Sequence, residues 1–346
     1  MNRMNSVFKF KETFIIAEAG VNHNGDIALA KELIDAARES GADAVKFQNF
    51  KAERTISRYA IKAGYQKNSK GDRETQLAML KKLELRDEDY FCLFEYAGRK
   101  KILFLSTPKD IPGARLLQEM GIAAYKIGSS EINNFEFLKF IASLSRPVIL
   151  STGMSTLSEV RQAVEVIRAE SDSPLALLHC VSQYPCPVNK VNLRAMLVLE
   201  KAFHTPVGYS DHTLGIEVAL AAVALGAKII EKHFTLDKGM KGPDHKISAT
   251  PEEFKEMVSF IRNVEKSLGC MEKSPSPCEI KNRRLLRRGL VFAKDLTKGC
   301  LISYEDITIK RPATGLEPKH KERLIGKKLK KDVKQDEPVK MEMFLV

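Results

Sequence analysis

The chain has 346 residues, 44% of them hydrophobic, which is ample for a buried core and long for a single average domain. No stretch approaches the length of a membrane span, and no long apolar run precedes the first strand-like segment, so neither a membrane protein nor a secretory signal is expected. The net charge is +12, and residues 281–346 carry +9 of it, with 18 Lys and Arg against 9 Asp and Glu. With no aromatic interleaving and no recognisable motif, nucleic-acid binding is not expected of this basic tail. The six cysteines form no CxxC pair, the pattern of reduced thiols in a cytoplasm.

Apolar, β-branched runs recur in chain order: FIIAEA (14–19), DAVKFQ (43–48), ILFLST (102–107), AAYKIG (123–128), PVILST (147–152), LALLHC (175–180), PVGYSD (206–211) and KIIEKHF (228–234). Amphipathic segments such as 28–41, 157–170 and 251–269 separate them. Eight βα units in about 270 residues predict a closed (β/α)8 TIM barrel over residues 1–269. A doubly wound sheet is the alternative, and the lack of a GxGxxG after the first strand counts against it. The interval between strands two and three is abnormally long. Its insertion, 54–76, leaves the C-terminal end of strand two and overhangs the face where barrel sites form; a lid, a packing appendage and a dimer contact are all compatible with it. Residues 270–284, rich in Pro, Ser and charge, read as a linker. Residues 285–346 read as a small β-rich domain, with a weak echo between KDLTKGCLISYEDI and KDVKQDEPVKMEMF.

The strand ends are densely polar. His212 and His233 end strands seven and eight, which a helical segment over 214–226 makes parallel neighbours. Two converging imidazoles with Glu231, Asp211 or Asp244 nearby suit a divalent metal; each histidine on its own also reads as a hydrogen-bonded strand-end residue. Two protein ligands are fewer than a closed zinc site uses, so Mn²⁺ or another divalent cation with open positions is expected. His23 is a weaker ligand candidate that could instead orient a loop, and His179 reads as a satisfied core histidine. Lys46 and Lys126 alternate with apolar residues and point into the barrel mouth. A bound anion would neutralise them, and a Lys126–Glu18 pair is the competing account. GSSE (128–131) and STGMS (151–155) place Gly and Ser at strand-to-helix turns, where free N–H groups favour a phosphate.

The motifs IAEAGVNHNGD, VKFQ, KIGSSEINN, ILSTGMS, LHCVSQYP, GYSDHT and KHFTLDKGMKGPDH occur in this order. Together they resemble the sialic acid synthase family, comprising N-acetylneuraminate synthase and its bacterial nonulosonate relatives. ITIKRPATGLEP and LIGKKLKKDV resemble that family's antifreeze-like SAF domain. The resemblance implies a condensation of phosphoenolpyruvate with N-acetylmannosamine or a close N-acylated amino sugar, giving a nine-carbon acid and phosphate. It implies that His212 and His233 hold Mn²⁺. Lys46, Lys126, Ser129 and Ser151, with Thr107 assisting, would hold phosphoenolpyruvate, and Glu18, Gln48, Tyr184 and Asp244 would hold the sugar. Glu131 would exchange protons with the intermediate, and Arg311 would reach a partner's barrel in a domain-swapped homodimer. N-acetylneuraminate enzymes typically carry Asn near the position of Ser182. That loop would face the acylamino arm, so legionaminic acid synthesis from 2,4-diacetamido-2,4,6-trideoxymannose is the alternative. A Schiff-base aldolase using Lys46 or Lys126 is a remoter one.

Overall fold

The computed structural model describes residues 8, 10–62 and 74–345. The chain divides into two compact units, Met1–Gly269 and Cys270–Val346.

In the first unit eight parallel strands close into a barrel in sequence order. They are β1 (Phe14–Gly20), β2 (Ala44–Asn49), β3 (Leu103–Pro108), β4 (Tyr125–Ile127), β5 (Val148–Ser151), β6 (Leu175–Cys180), β7 (Val207–Asp211) and β8 (Ile229–His233). The expected TIM barrel is therefore present, and each strand ends within two residues of its apolar run. The intervening helices are α1 (Ile27–Glu39), α2 (Ala52–Thr55), α3 (Gln76–Lys81), α4 (Asp87–Lys100), α5 (Ile111–Met120), α6 (Phe135–Ser143), α7 (Leu157–Glu170), α8 (Ala195–Phe203), α9 (Glu217–Ala224) and α10 (Pro251–Leu268). Local chemistry starts several of them. Thr156 and Thr250 form capping boxes with Glu159 and Glu253, and Asp26 and Asp110 accept from the first-turn amides of α1 and α5.

Strand residues pointing outward, such as Ile15, Val45, Phe47 and Leu177, pack with the helices into the main core. Those pointing inward fill the barrel: Ile16, Ala44, Leu105, Ala124, Ile149, Ala176, Leu178 and Ile229 form a separate inner cluster. Two residues beyond Ile16, Ala44, Leu105, Ala124, Ile149 and Ile229 stand Glu18, Lys46, Thr107, Lys126, Ser151 and Glu231, and there the site begins. Val21, Phe50 and Leu83, with Leu80 against them, make a small cluster apart from both cores. It gathers the ends of β1 and β2 and the return from the long insertion. Residues 63–73 of that insertion lie outside the described residues.

The second unit contains α11 (Pro277–Leu286), occupying part of the stretch read as a linker, and the antiparallel pair β9 (Gly289–Phe292) and β10 (Ile307–Lys310). Its core comprises Leu290, Phe292, Ile302, Ile307, Leu324, Leu329, Val333 and Val339. The internal echo has a structural counterpart. Leu296 and Val333, which occupy equivalent places in the two KD segments, bridge each other antiparallel. No helix among the described residues is long and apolar enough to cross a membrane.

Candidate active site

A cavity of about 690 Å³ opens at the C-terminal ends of the strands. Its floor is the polar layer above the inner core. Glu18 on β1 and Lys46 on β2 are register partners, and Lys46 Nζ lies 2.5 Å from Glu18 Oε2 and 3.8 Å from Glu231 Oε2. Lys126 Nζ lies 3.3 Å from Glu231 Oε1 and donates to Ser151 Oγ at 2.8 Å. All four charged side chains are nearly fully buried. Burial works against the Lys46 ammonium, yet Glu18 and Glu231 outweigh it and raise its pKa above the ordinary lysine value. For Lys126, burial with Lys46 alongside prevails over Glu231, and its pKa falls. Glu231 is held ionised: burial opposes this, and Lys126 and Lys46 overcome it. The lysine–carboxylate alternative is thus realised, with different pairing from that expected. Lys126 meets Glu231, and Glu18 serves Lys46.

The anion turns flank this quartet. Gly153 N–H donates to Ser129 Oγ at 2.8 Å, and Ser129 Oγ lies 3.1 Å from Cys180 Sγ. A Cβ on Gly153 would come within 2.4 Å of Ser182 Oγ, 2.8 Å of Cys180 Sγ and 2.9 Å of Ser129 Oγ. The cradle therefore requires glycine. Thr107 accepts from Lys46 at 2.9 Å. Glu131, on the turn after β4, accepts from Ser130 and from Asn134 at 2.9 and 3.0 Å.

Across the cavity the imidazoles of His212 and His233 stand 5.6 Å apart, centre to centre, with Tyr184 packed 4.2 Å from His212 and 5.8 Å from His233. His212 Nδ1 lies 2.7 Å from the Val181 carbonyl. Donation there fixes the ring and leaves Nε2 with its lone pair, as a metal-binding imidazole needs. His233 Nδ1 is buried with no hydrogen-bond partner among the described residues and lies 4.0 Å from Asp244 Oδ2. Burial, then the neighbouring His233, lowers the His212 pKa to about 4; burial, then Lys46, does the same for His233. Both rings are therefore neutral ligand-competent bases at physiological pH. Asp244 goes the other way, raised to about 7 by burial and then by Glu18. No group of three or more His, Cys, Asp and Glu among the described residues is arranged to hold a metal. Two neutral rings, one with an orphaned buried nitrogen, fit a divalent cation that keeps open positions.

A family model described as the NeuB family matches residues 33–273, and a SAF domain model matches residues 287–345. The chain belongs to the NeuB family. The N,N'-diacetyllegionaminic acid synthase of Campylobacter jejuni is 49% identical over 332 residues, covering 95% of this chain and 99% of that protein. That of Legionella pneumophila is 49% identical over 320 residues, covering 91% and 90%. Among solved structures, the N-acetylneuraminic acid synthetase of Leptospira borgpetersenii, crystallised with citrate, superposes with a TM-score of 0.71 at 38% identity, covering 79% of this chain and 90% of that one.

The NeuB-family barrel brings Glu18, Lys46, Gln48, Thr107, Lys126, Ser129, Glu131, Ser151, Tyr184, His212, His233 and Asp244 to one cavity. Arg311 lies in the second unit, exposed, directly after β10. Two candidate metal neighbours turn elsewhere. Asp211 is taken by Lys232, whose Nζ is 2.7 Å from Oδ2, and His23 is fully buried with Nδ1 accepting from Gly25 N–H at 3.1 Å. His179 is satisfied at 2.7 Å by the Val191 carbonyl. Sequence reasoning passed over Ser210, which donates to Glu231 at 3.1 Å beside His212; its place between two polar strand ends was the available signal. It also passed over Lys109, one residue beyond β3. Arg54, Thr55, Ile56 and Gln76, from the described ends of the insertion, wall the cavity together with Val21, Phe50 and Leu80.

Proposed function

We propose that this nonulosonic acid synthase condenses phosphoenolpyruvate with 2,4-diacetamido-2,4,6-trideoxymannose, giving N,N'-diacetyllegionaminic acid and phosphate. The observation that carries a two-reactant condensation is the joining of a neutral imidazole pair and a Lys/Ser/Gly anion cradle in one cavity. The sugar rests on the two 49%-identical relatives named for that product, and on the apolar wall of Val21, Phe50, Ile56 and Leu80. Such a wall suits a 6-deoxy methyl and acetamido methyls better than a hydroxymethyl. N-acetylmannosamine, the substrate foremost in the sequence reading, becomes the second candidate.

His212 and His233 would hold the metal, with Mn²⁺ as the proposed ion, and when bound it would supply Lewis acidity toward the sugar aldehyde. The chain's own groups carry the rest. Lys126, Ser151 and Ser129, the last positioned by the Gly153 amide, hold the anionic reactant, while Glu18, Gln48, Tyr184 and Asp244 hold the sugar, so the two carbons meet in line. The C3 carbon of phosphoenolpyruvate bonds to the sugar C1, and the aldehyde oxygen takes a proton to become a hydroxyl. Water adds at C2 and gives one proton to Glu131, the proposed acceptor, which returns it to the former aldehyde oxygen; the second proton, on the new C2 hydroxyl, passes to the leaving phosphate. The C2–O bond to phosphate then breaks, leaving the ketone. A domain-swapped homodimer in which Arg311 serves a partner's barrel is part of this proposal, and sedimentation of the intact chain tests it.

A phosphate-release assay with phosphoenolpyruvate and Mn²⁺ compares the diacetamido trideoxy sugar with N-acetylmannosamine and its 6-phosphate. The expected result is a kcat/KM at least about tenfold higher for the first, as for discrimination by one or two small groups. Faster turnover of either other sugar would overturn the assignment.

A further inference from the structure

The inner layer is electrically balanced. Lys46 and Lys126 face Glu18 and Glu231 within ion-pair distance. Arg54, at the cavity wall, is paired with Asp110 at 2.5 Å. A highly charged anion entering this mouth would therefore find little surplus positive charge in the quartet that first suggests an anion site.

Lys109 differs. It lines the same cavity and is half-buried. No carboxylate among the described residues lies within ion-pair distance of it; Glu131 acts on it only at longer range. Its Nζ rests over the turn that carries Ser129, since a Cβ built on Gly128 would stand 3.4 Å from it. We propose that Lys109 is the cation that recognises the phosphate of phosphoenolpyruvate, closing over the Gly128–Ser129 turn and the Gly153 cradle. This rests on the synthase reading of the cavity. Burial lowers the Lys109 pKa, with Lys46 and Lys126 adding to the effect and Glu131 opposing it. An arriving anion relieves that strain, whereas the neutral sugar offers it nothing. Lys109 is accordingly a discriminator between the two reactants, acting on the charged one alone.

The test uses the intact chain with Lys109→Met and Lys109→Arg. Steady-state turnover is measured with each reactant varied, and calorimetry measures binding of phosphoenolpyruvate and of inorganic phosphate. Lys109→Met should raise the KM and Kd for phosphoenolpyruvate at least about tenfold, the loss of one charge-assisted hydrogen bond, with the sugar KM within about twofold of the parent. Lys109→Arg should recover to within about fivefold, because it keeps the charge on a different fork. An unchanged phosphoenolpyruvate affinity in Lys109→Met, or an equal loss toward the sugar, overturns the assignment while leaving the synthase reading intact. A parent chain that turns over no sugar, yet binds inorganic phosphate more tightly than Lys109→Met, overturns the synthase reading and retains Lys109 as an anion-binding residue.

Discussion

Lys126 on β4 and Glu231 on β8 meet at 3.3 Å, although their strands stand on opposite sides of the closed barrel. The pair bridges the barrel just above its apolar filling. It also ties together the two halves of the cavity, since Lys126 donates to Ser151 and Glu231 accepts from Ser210 beside His212.

Replacing Glu231 with Gln leaves two buried ammonium groups facing a neutral amide. Removing one partner of a buried pair typically costs about 3–5 kcal/mol, so urea unfolding of Glu231→Gln should show a loss of that order. Added inorganic phosphate should restore part of it by supplying the missing negative charge. A variant as stable as the parent would mean that the bridge contributes nothing to the fold.

Gly153→Ala tests the cradle. The new methyl collides with Ser182, Cys180 and Ser129, which must part and break the Gly153–Ser129 hydrogen bond. The expected outcome is a rise in the phosphoenolpyruvate KM of at least about tenfold, from one lost hydrogen bond and a displaced turn, with the circular dichroism of the barrel preserved. Unchanged kinetics would remove this turn from the anion site.

The metal prediction concerns binding itself. His212→Ala or His233→Ala should weaken Mn²⁺ binding by at least about 100-fold, since losing a ligand should cost more than losing a group that only hydrogen-bonds to one. His179→Asn should leave Mn²⁺ binding unchanged, because that ring is satisfied by the Val191 carbonyl. Calorimetric titration of the metal-free chain measures all three, and an undiminished affinity in either alanine variant would rule out the pair as ligands.

Acid should destabilise the metal-free protein. Burial holds His23, His212 and His233 at a pKa of about 4 in the folded chain, against 6.5 for the free side chain. The unfolded chain then binds more protons between those values, and stability is lost as pH falls through that window. Asp244, raised from 3.8 to about 7, has the opposite sign: its contribution is present at low pH and lost as pH rises toward 7. Three groups outweigh one, so the Tm should fall on acidification from pH 7 to 4. A Tm that is flat or rises over that range would contradict the burial of these rings.

The barrel was legible because the strands advertise themselves locally, through apolar runs ended by polar residues and, for several, followed by a capped amphipathic helix. The inward direction of Lys46 and Lys126 followed from the same alternation. Their partners did not, because strand stagger across the closed barrel decides which carboxylate reaches which lysine. A Lys126–Glu18 pair was the natural guess from strand ends, and Glu231, two residues before His233, proved to be the counter-ion. Asp211 looked like a metal neighbour by proximity in sequence, but Lys232 captures it from the adjacent strand. Lys109 follows a proline just beyond its strand, where alternation no longer tells which way a side chain turns.

The wall formed by Val21, Phe50 and Leu80 belongs to a cluster separate from the barrel's two cores. In the proposed complex, substitutions there would alter what lies against the incoming sugar and leave the packing of the two barrel cores in place. Leu80, the partly buried member of that wall, is therefore where a lineage built on this chain could alter the proposed sugar contact at the least penalty in stability, whereas truncating the buried Phe50 would cost about 3–5 kcal/mol.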